Sequence, residues 1–102
     1  MRVVMMEPGE KAYVTDIDSS LETMQTIVGG YIECINPWGN KIVMVCNDEG
    51  KIAGLPLNIA INTEWCRDII CGTIFFCSEA GEDLTDLSDE EVDFLLETLD
   101  AK

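Results

Sequence analysis

Five cysteines and no histidine set the chemistry open to this chain of 102 residues. Cys34, Cys46, Cys66, Cys71 and Cys77 are spaced by 12, 20, 5 and 6 positions, without a C-x-x-C pair. An odd count at such spacings is neither a disulfide framework nor a zinc ribbon, so no metal site is expected. Cys34, Cys46 and Cys77 fall inside apolar strand patterns, where a free cysteine behaves as a small hydrophobe; reduced, buried thiols are expected. Nucleophilic catalysis needs a base beside the nucleophile, and here only Lys11, Lys41 and Lys51 could stand in for histidine. Hydrolase chemistry is therefore disfavoured, and neither enzymatic activity nor a cofactor is expected. Among the carboxylates, Asp16 and Glu33 are the two set in apolar sequence, where desolvation raises a carboxyl pKa. An inward-facing Glu33 would mark a site.

Ligand binding has more material. Tyr31, Trp38 and Trp65 offer flat apolar faces for stacking, while Asn58 and Arg67 offer polar contacts. Trp38 sits in the loop Asn36-Pro37-Trp38-Gly39-Asn40, where it either folds back over the core or forms a contact surface. These residues lie in a nearly neutral middle segment, since residues 28–78 hold five acids against three bases. The net charge of −14 is concentrated elsewhere: residues 79–102 carry ten acids and one lysine. Such a face cannot neutralise phosphates, so direct nucleic-acid binding is disfavoured.

Positioning these groups falls to a single α+β domain over residues 1–102, with 47% apolar and 25% charged residues. The expected sheet is mixed but mainly antiparallel, of about five to six strands, with one short helix and an acidic C-terminal helix. Arg2 to Met6 and Ala12 to Ile17 read as a hairpin turning at Pro8-Gly9. Ser19-Ser20-Leu21-Glu22 offers an N-cap serine with a glutamate three positions on, opening a helix that packs through Leu21, Met24 and Val28 and ends at Gly29. Tyr31 to Ile35 is a strand, and Ile42 to Cys46, with no alternation, is a central strand covered on both faces.

The Asn47 to Lys51 turn, with Gly50 left-handed, is expected to return the chain as a strand at Ile52 to Leu55. Pro56 to Asn62 reads as a crossover with one helical turn, Thr63 to Asp68 as a polar loop around Trp65, and Ile69 to Cys77 as the last strand, bulged at Gly72. Ser78 to Asp86 reads as loop. The terminal helix has a capping box in Ser88 and Glu91, a staple in Leu87 and Val92, and an apolar stripe of Val92, Leu95, Leu96 and Leu99. Its outer face, Asp89, Glu90, Asp93, Glu97 and Asp100, has no base to pair with, and its stop is the chain end. No apolar run approaches the roughly 20 residues that span a bilayer, and Met1 to Met6 is too short for a signal-peptide core, so the cytoplasm is the expected location.

Glu7-Pro8-Gly9, Val28-Gly29-Gly30-Tyr31-Ile32-Glu33, Gly54-Leu55-Pro56-Leu57-Asn58 and Ile70 with Gly72-Thr73-Ile74-Phe75-Phe76 appear in that order along nearly the whole chain. In this the chain resembles a family of small domains of unknown function from bacterial mobile elements and phages. Where that family carries an arginine pair after the asparagine, this chain has Ile59-Ala60, which removes the charge an anion site would use. The resemblance implies an α+β domain in a mobile-element setting and no enzymatic activity. By setting, a non-catalytic accessory protein that antagonises bacterial defence is expected. The leading expectation is sequestration of a small nucleotide immune signal by Tyr31, Glu33, Trp38, Asn58, Trp65 and Arg67, since the charge is confined to one helix, in a homodimer whose pairing deepens the pocket. The other is an acidic helix that imitates nucleic acid and occupies a basic groove on a defence protein; a structural, partner-binding domain is the third reading.

Overall fold

The apolar runs at the N-terminus pair as their pattern predicts. In the computed structural model, which describes residues 1–100, β1 (Arg2–Met6) and β2 (Tyr13–Asp16) are antiparallel with Arg2 opposite Asp16. The Glu10 N–H donates to the Glu7 carbonyl across Pro8-Gly9, with Gly9 at φ 80°. Helix α1 (Leu21–Val28) follows, but its N-cap is Ser20 rather than Ser19. Ser20 Oγ accepts from the Thr23 N–H at 3.2 Å, and the Asp18 carboxylate accepts from the Ser20 and Thr23 hydroxyls at 2.8 and 3.0 Å. Those hydroxyls, Ser20 first, hold the Asp18 carboxyl below its ordinary range. The one-residue shift turns Leu21 out to solvent, against expectation, while Met24 and Val28 are buried and Gly29 closes the helix in the left-handed conformation.

The remaining elements are β3 (Ile32–Ile35), β4 (Ile42–Asn47), β5 (Leu57–Asn62), β6 (Arg67–Cys71), β7 (Ile74–Ala80), β8 (Asp83–Thr85) and α2 (Asp89–Asp100). The main sheet has six strands in the order β2-β1-β7-β4-β3, with β8 also paired to β7. Strands β5 and β6 form a separate two-stranded ribbon. All these pairings are antiparallel. Strand β4 is central and almost wholly buried, because both faces of the sheet are covered. Val43, Val45, Phe75 and Cys77 pack with Met24 and Val28 of α1. On the opposite face Met44, Cys46, Ile74 and Phe76 pack with Ile59, Ile61 and Ile70 of the ribbon and Val92, Leu95 and Leu99 of α2.

The segment between β4 and β7 departs most from expectation. No strand forms over Ile52 to Leu55, and Gly50 is not left-handed; the left-handed glycine of this segment is Gly54, at φ 72°. The cause is Asn47, whose Oδ1 accepts the Glu49 N–H at 2.7 Å while its Nδ2 donates to the Val28 carbonyl at 3.1 Å. Such a side chain offers the backbone an alternative to a strand ladder, and the chain winds on with the Ala53 N–H donating to the Glu49 carbonyl. Pro56 to Asn62 is likewise not a crossover: Leu57–Asn62 is β5, with Ile59 and Ile61 buried and Leu57, Ala60 and Asn62 exposed. The loop expected over Thr63 to Asp68 shrinks to the ribbon turn, because β6 starts at Arg67.

Ile69 to Cys77 is two strands rather than one bulged strand. Gly72, at φ 87°, breaks the run, and its N–H donates to the Pro56 carbonyl at 2.7 Å. The chain thereby leaves the ribbon and enters the sheet, where β7 lies directly beside β4. The expected loop over Ser78 to Asp86 contains the end of β7 and all of β8.

Helix α2 follows its sequence closely. The Ser88 N–H donates to Glu91 Oε1 at 2.9 Å, and the Glu91 N–H to Ser88 Oγ at 3.1 Å. Leu87, Val92, Leu95 and Leu99 are buried and Leu96 is half-buried. Its outer face does meet a base, since Arg2 Nη2 donates to Asp89 Oδ1 at 2.7 Å. An exposed pair of this kind contributes at most about 1 kcal/mol. The helix stop expected at the chain end, with Lys102, lies outside the described residues.

Candidate functional site

The six residues expected to bind a ligand do not share one pocket. Tyr31 is 76% exposed just ahead of β3, whereas Trp65 lies over the loop that follows β3, so the two aromatics sit at opposite ends of that strand. Trp65 is 61% exposed and covers Gly39, where an added Cβ would stand 2.5 Å from the indole. The Thr63 hydroxyl donates to the Pro37 carbonyl and fixes this end of the ribbon. Trp38 folds back, its ring 5.9 Å from Phe76 and 5.2 Å, edge-on, from Phe94. Asn58 is a fastener: its Nδ2 donates to the Met6 carbonyl of β1 at 2.9 Å and the Gly72 carbonyl at 2.8 Å, tying ribbon to sheet. Its Oδ1 is buried without a hydrogen-bond partner. Arg67 is exposed at the start of β6, opposite Asn62.

Glu33 does line a cleft. Opposite Cys46 in the β3–β4 register, it shares the ribbon-facing side of the sheet. The cleft, of about 380 Å³, lies between Glu33 and Cys46 of the sheet, residues 47–52, and Asp68 to Cys71 of β6. Lys51 Nζ and Asp68 Oδ1 meet at 2.6 Å. That hydrogen bond holds the Asp68 carboxyl below its ordinary range and the Lys51 ammonium above its own. Sequence reasoning missed Lys51, Asp68 and Cys46 as neighbours of Glu33; they carry no local signal, because a turn, a second sheet and two register choices bring them together.

The second feature is an acidic surface. Asp89, Glu90, Asp93, Glu97 and Asp100 are exposed along α2. At about 1.5 Å of rise per residue, the five charges from Asp89 to Asp100 are separated on average by about 4 Å of axis. One strand of duplex DNA carries one per roughly 3.4 Å. Glu79, Thr85, Glu90 and the 40%-exposed Phe94 line a groove of about 560 Å³ where the end of β7, β8 and α2 converge. Glu91 is turned inward and accepts from Ser78 Oγ at 3.0 Å.

Residues 1–100 match a protein family described as Domain of unknown function (DUF3846). The chain belongs to that family. No curated protein and no solved structure matches it. The DUF3846 match runs from β1 to the last residue of α2, so both the cleft and the acidic helix are parts of the DUF3846 unit rather than appendages. Among the described residues, no helix is long and apolar enough to cross a membrane.

The thiols of this DUF3846 domain sort by position. Cys46 and Cys77 are buried, as expected, and burial pushes both up to about 12. Cys34, on the edge strand β3, is exposed instead, although desolvation of its sulfur and the neighbouring Glu33 raise its thiol too. Iodoacetamide near neutral pH should therefore label Cys34 ahead of Cys46 and Cys77, which react on unfolding. Mass spectrometry that found Cys46 or Cys77 alkylated as fast as Cys34 in the folded protein would contradict this placement.

Proposed function

We propose that this protein is a non-catalytic binding module of a mobile genetic element, working in the bacterial cytoplasm, whose acidic α2 face occupies a basic, nucleic-acid-binding groove on a host defence protein. The observation that carries this reading is the single exposed face of carboxylates along α2, a row of like charge about 4 Å apart on average where one DNA strand has about 3.4 Å. Charge of one sign steers a partner of the other and sets association rates. Arg2 engages Asp89, while Glu90, Asp93 and Glu97 form no ion pair among the described residues. Phe94 adds an exposed apolar edge within the same surface, which suits the apolar centre of a protein interface.

The test is retention of proteins from a bacterial lysate on the immobilised domain, followed by competition with duplex DNA. The expected partner is a DNA-binding protein that DNA displaces and that elutes as salt screens the contact. Changing Glu90, Asp93 and Glu97 to their amides should weaken the complex about tenfold or more. A complex indifferent to salt, to DNA and to the amides would overturn the reading. Nucleotide sequestration would draw on Tyr31, Trp65 and Arg67, which remain exposed. A di- or trinucleotide that raised thermal stability, with loss of the effect in Trp65→Ala, would put that mechanism in place of the acidic one.

A further inference from the structure

A different surface carries a second inference, independent of α2. Among the described residues, β3 pairs only with β4 and β6 only with β5, so each has one free edge. The cleft beside Glu33 opens between these layers, with Glu33 of β3 and Cys46 of β4 on one side and Asp68 to Cys71 of β6 on the other. An unpaired strand edge presents a row of N–H and C=O groups ready to pair with another chain. Neither lysine nor proline occurs in Ile32–Ile35, and the one charge that guards this short edge, Glu33, repels an acidic strand but admits a basic one.

The surroundings select the occupant. Glu33, Asp48, Glu49 and Asp68 line the cleft, and its one base, Lys51, is already held by Asp68. A phosphate-bearing ligand would meet like charge. A second copy of the chain, at net −14, would bring more of it. Ile52, 86% exposed, and Ile69, 51% exposed, stand beside the carboxylates. Acid within reach of aliphatic side chains, next to a free edge, fits an extended basic segment: the edge takes its backbone, the cleft its cation, and the isoleucines the stem or an apolar neighbour.

We propose that β3 is a docking edge for an extended segment of a partner protein, which adds as a strand and places an arginine or lysine in the cleft against Glu33 and Asp48. The side chain of β3 that faces the cleft is Glu33, and alternation along a strand turns Cys34 to the other side. One basic residue in register with Glu33 therefore sets the specificity, with main-chain pairing supplying the remainder.

The test uses the whole chain, labelled with ¹⁵N, and the probe peptide acetyl-Thr-Val-Arg-Val-Thr-amide at up to millimolar concentration. Amide shifts are expected in residues 32–35, 48–52 and 67–71, with slower hydrogen exchange along β3. Replacing the peptide's arginine by glutamate should abolish the response. Methylating alternate peptide nitrogens, which blocks strand pairing but keeps the charge, should weaken it about tenfold or more. Glu33→Gln with Asp48→Asn, both at exposed positions, should do the same, whereas amides at Glu90, Asp93 and Glu97 should leave it unchanged and so separate this edge from the α2 surface. Absence of shifts at millimolar peptide, shifts confined to α2, or equal binding of the methylated peptide would each overturn the proposal.

Discussion

Leu95→Ala is expected to lower the free energy of unfolding by about 2 to 5 kcal/mol. Leu95 is wholly buried among Phe76, Ile59 and Val92 beneath the sheet. Its loss leaves a cavity that the sheet cannot collapse into, because β4 and β7 are held on both sides by ladders. A domain of this size is stable by only about 5 to 15 kcal/mol, so the variant should melt well below the parent. Leu96, one position on and half-buried, should give a clearly smaller loss when truncated. The exposed carboxylates of Asp93 and Glu97 should stay within about 0.5 kcal/mol on neutralisation. Urea denaturation of the set decides the point: equal losses at Leu95 and Leu96 would mean that the helix is rotated about its axis from the position described.

Gly50→Val is the second large effect, and its cause lies in space rather than in dihedral preference. A Cβ at Gly50 would stand 2.7 Å from the Cys71 carbonyl oxygen. That oxygen belongs to the backbone of β6 and cannot rotate away, so overpacking of about 1 to 3 kcal/mol is expected. Gly50→Ala should suffer nearly as much, because the first carbon already collides. Gly54 supplies the contrast: its φ is 72° and nothing lies within 4 Å of an added Cβ. Asparagine, which tolerates the left-handed region, should therefore be milder than alanine at position 54 and no milder than alanine at position 50. A midpoint unchanged in Gly50→Ala would remove the contact between the turn and β6.

The parts of the fold legible in the sequence are those decided by neighbours along the chain. The Ser88 and Glu91 capping box, the Gly29 cap and the Pro8-Gly9 turn each need only three or four consecutive residues, and each formed where expected. Strand β4 was legible because burial on both faces leaves an unbroken apolar run. The segment after it was not. Asn47 could start a hairpin or capture its own backbone, and the deciding contact is with Val28, in a helix 19 positions earlier.

Gly72 reads as a bulge in either case, since nothing local says that the strands on its two sides belong to different sheets. The same limit holds for the site. Residue type singles out Tyr31, Trp38, Asn58, Trp65 and Arg67, and type does not tell a fastener such as Asn58 from a ligand contact. Glu33 and Asn58 line separate clefts, and the residues that share the first with Glu33, Lys51 and Asp68 among them, come from a loop and a ribbon whose positions depend on tertiary packing.

Because β4 and β7 are neighbours in the sheet, residues 48–73 are an excursion out of what is otherwise a single antiparallel pair. The ribbon behaves as a cassette. It returns the chain to the place it left, and the conformational cost of closing such an excursion grows only slowly with its length. Its anchors are few: Ile59, Ile61 and Ile70 as an apolar plug, the Asn58 side chain as a latch on Met6 and Gly72, and the Thr63 hydroxyl on the Pro37 carbonyl at the far end. A lineage that keeps the plug and the latch is free to rewrite the exposed turn and the outer edge of β6, and so to retarget the cleft without disturbing the sheet beneath it.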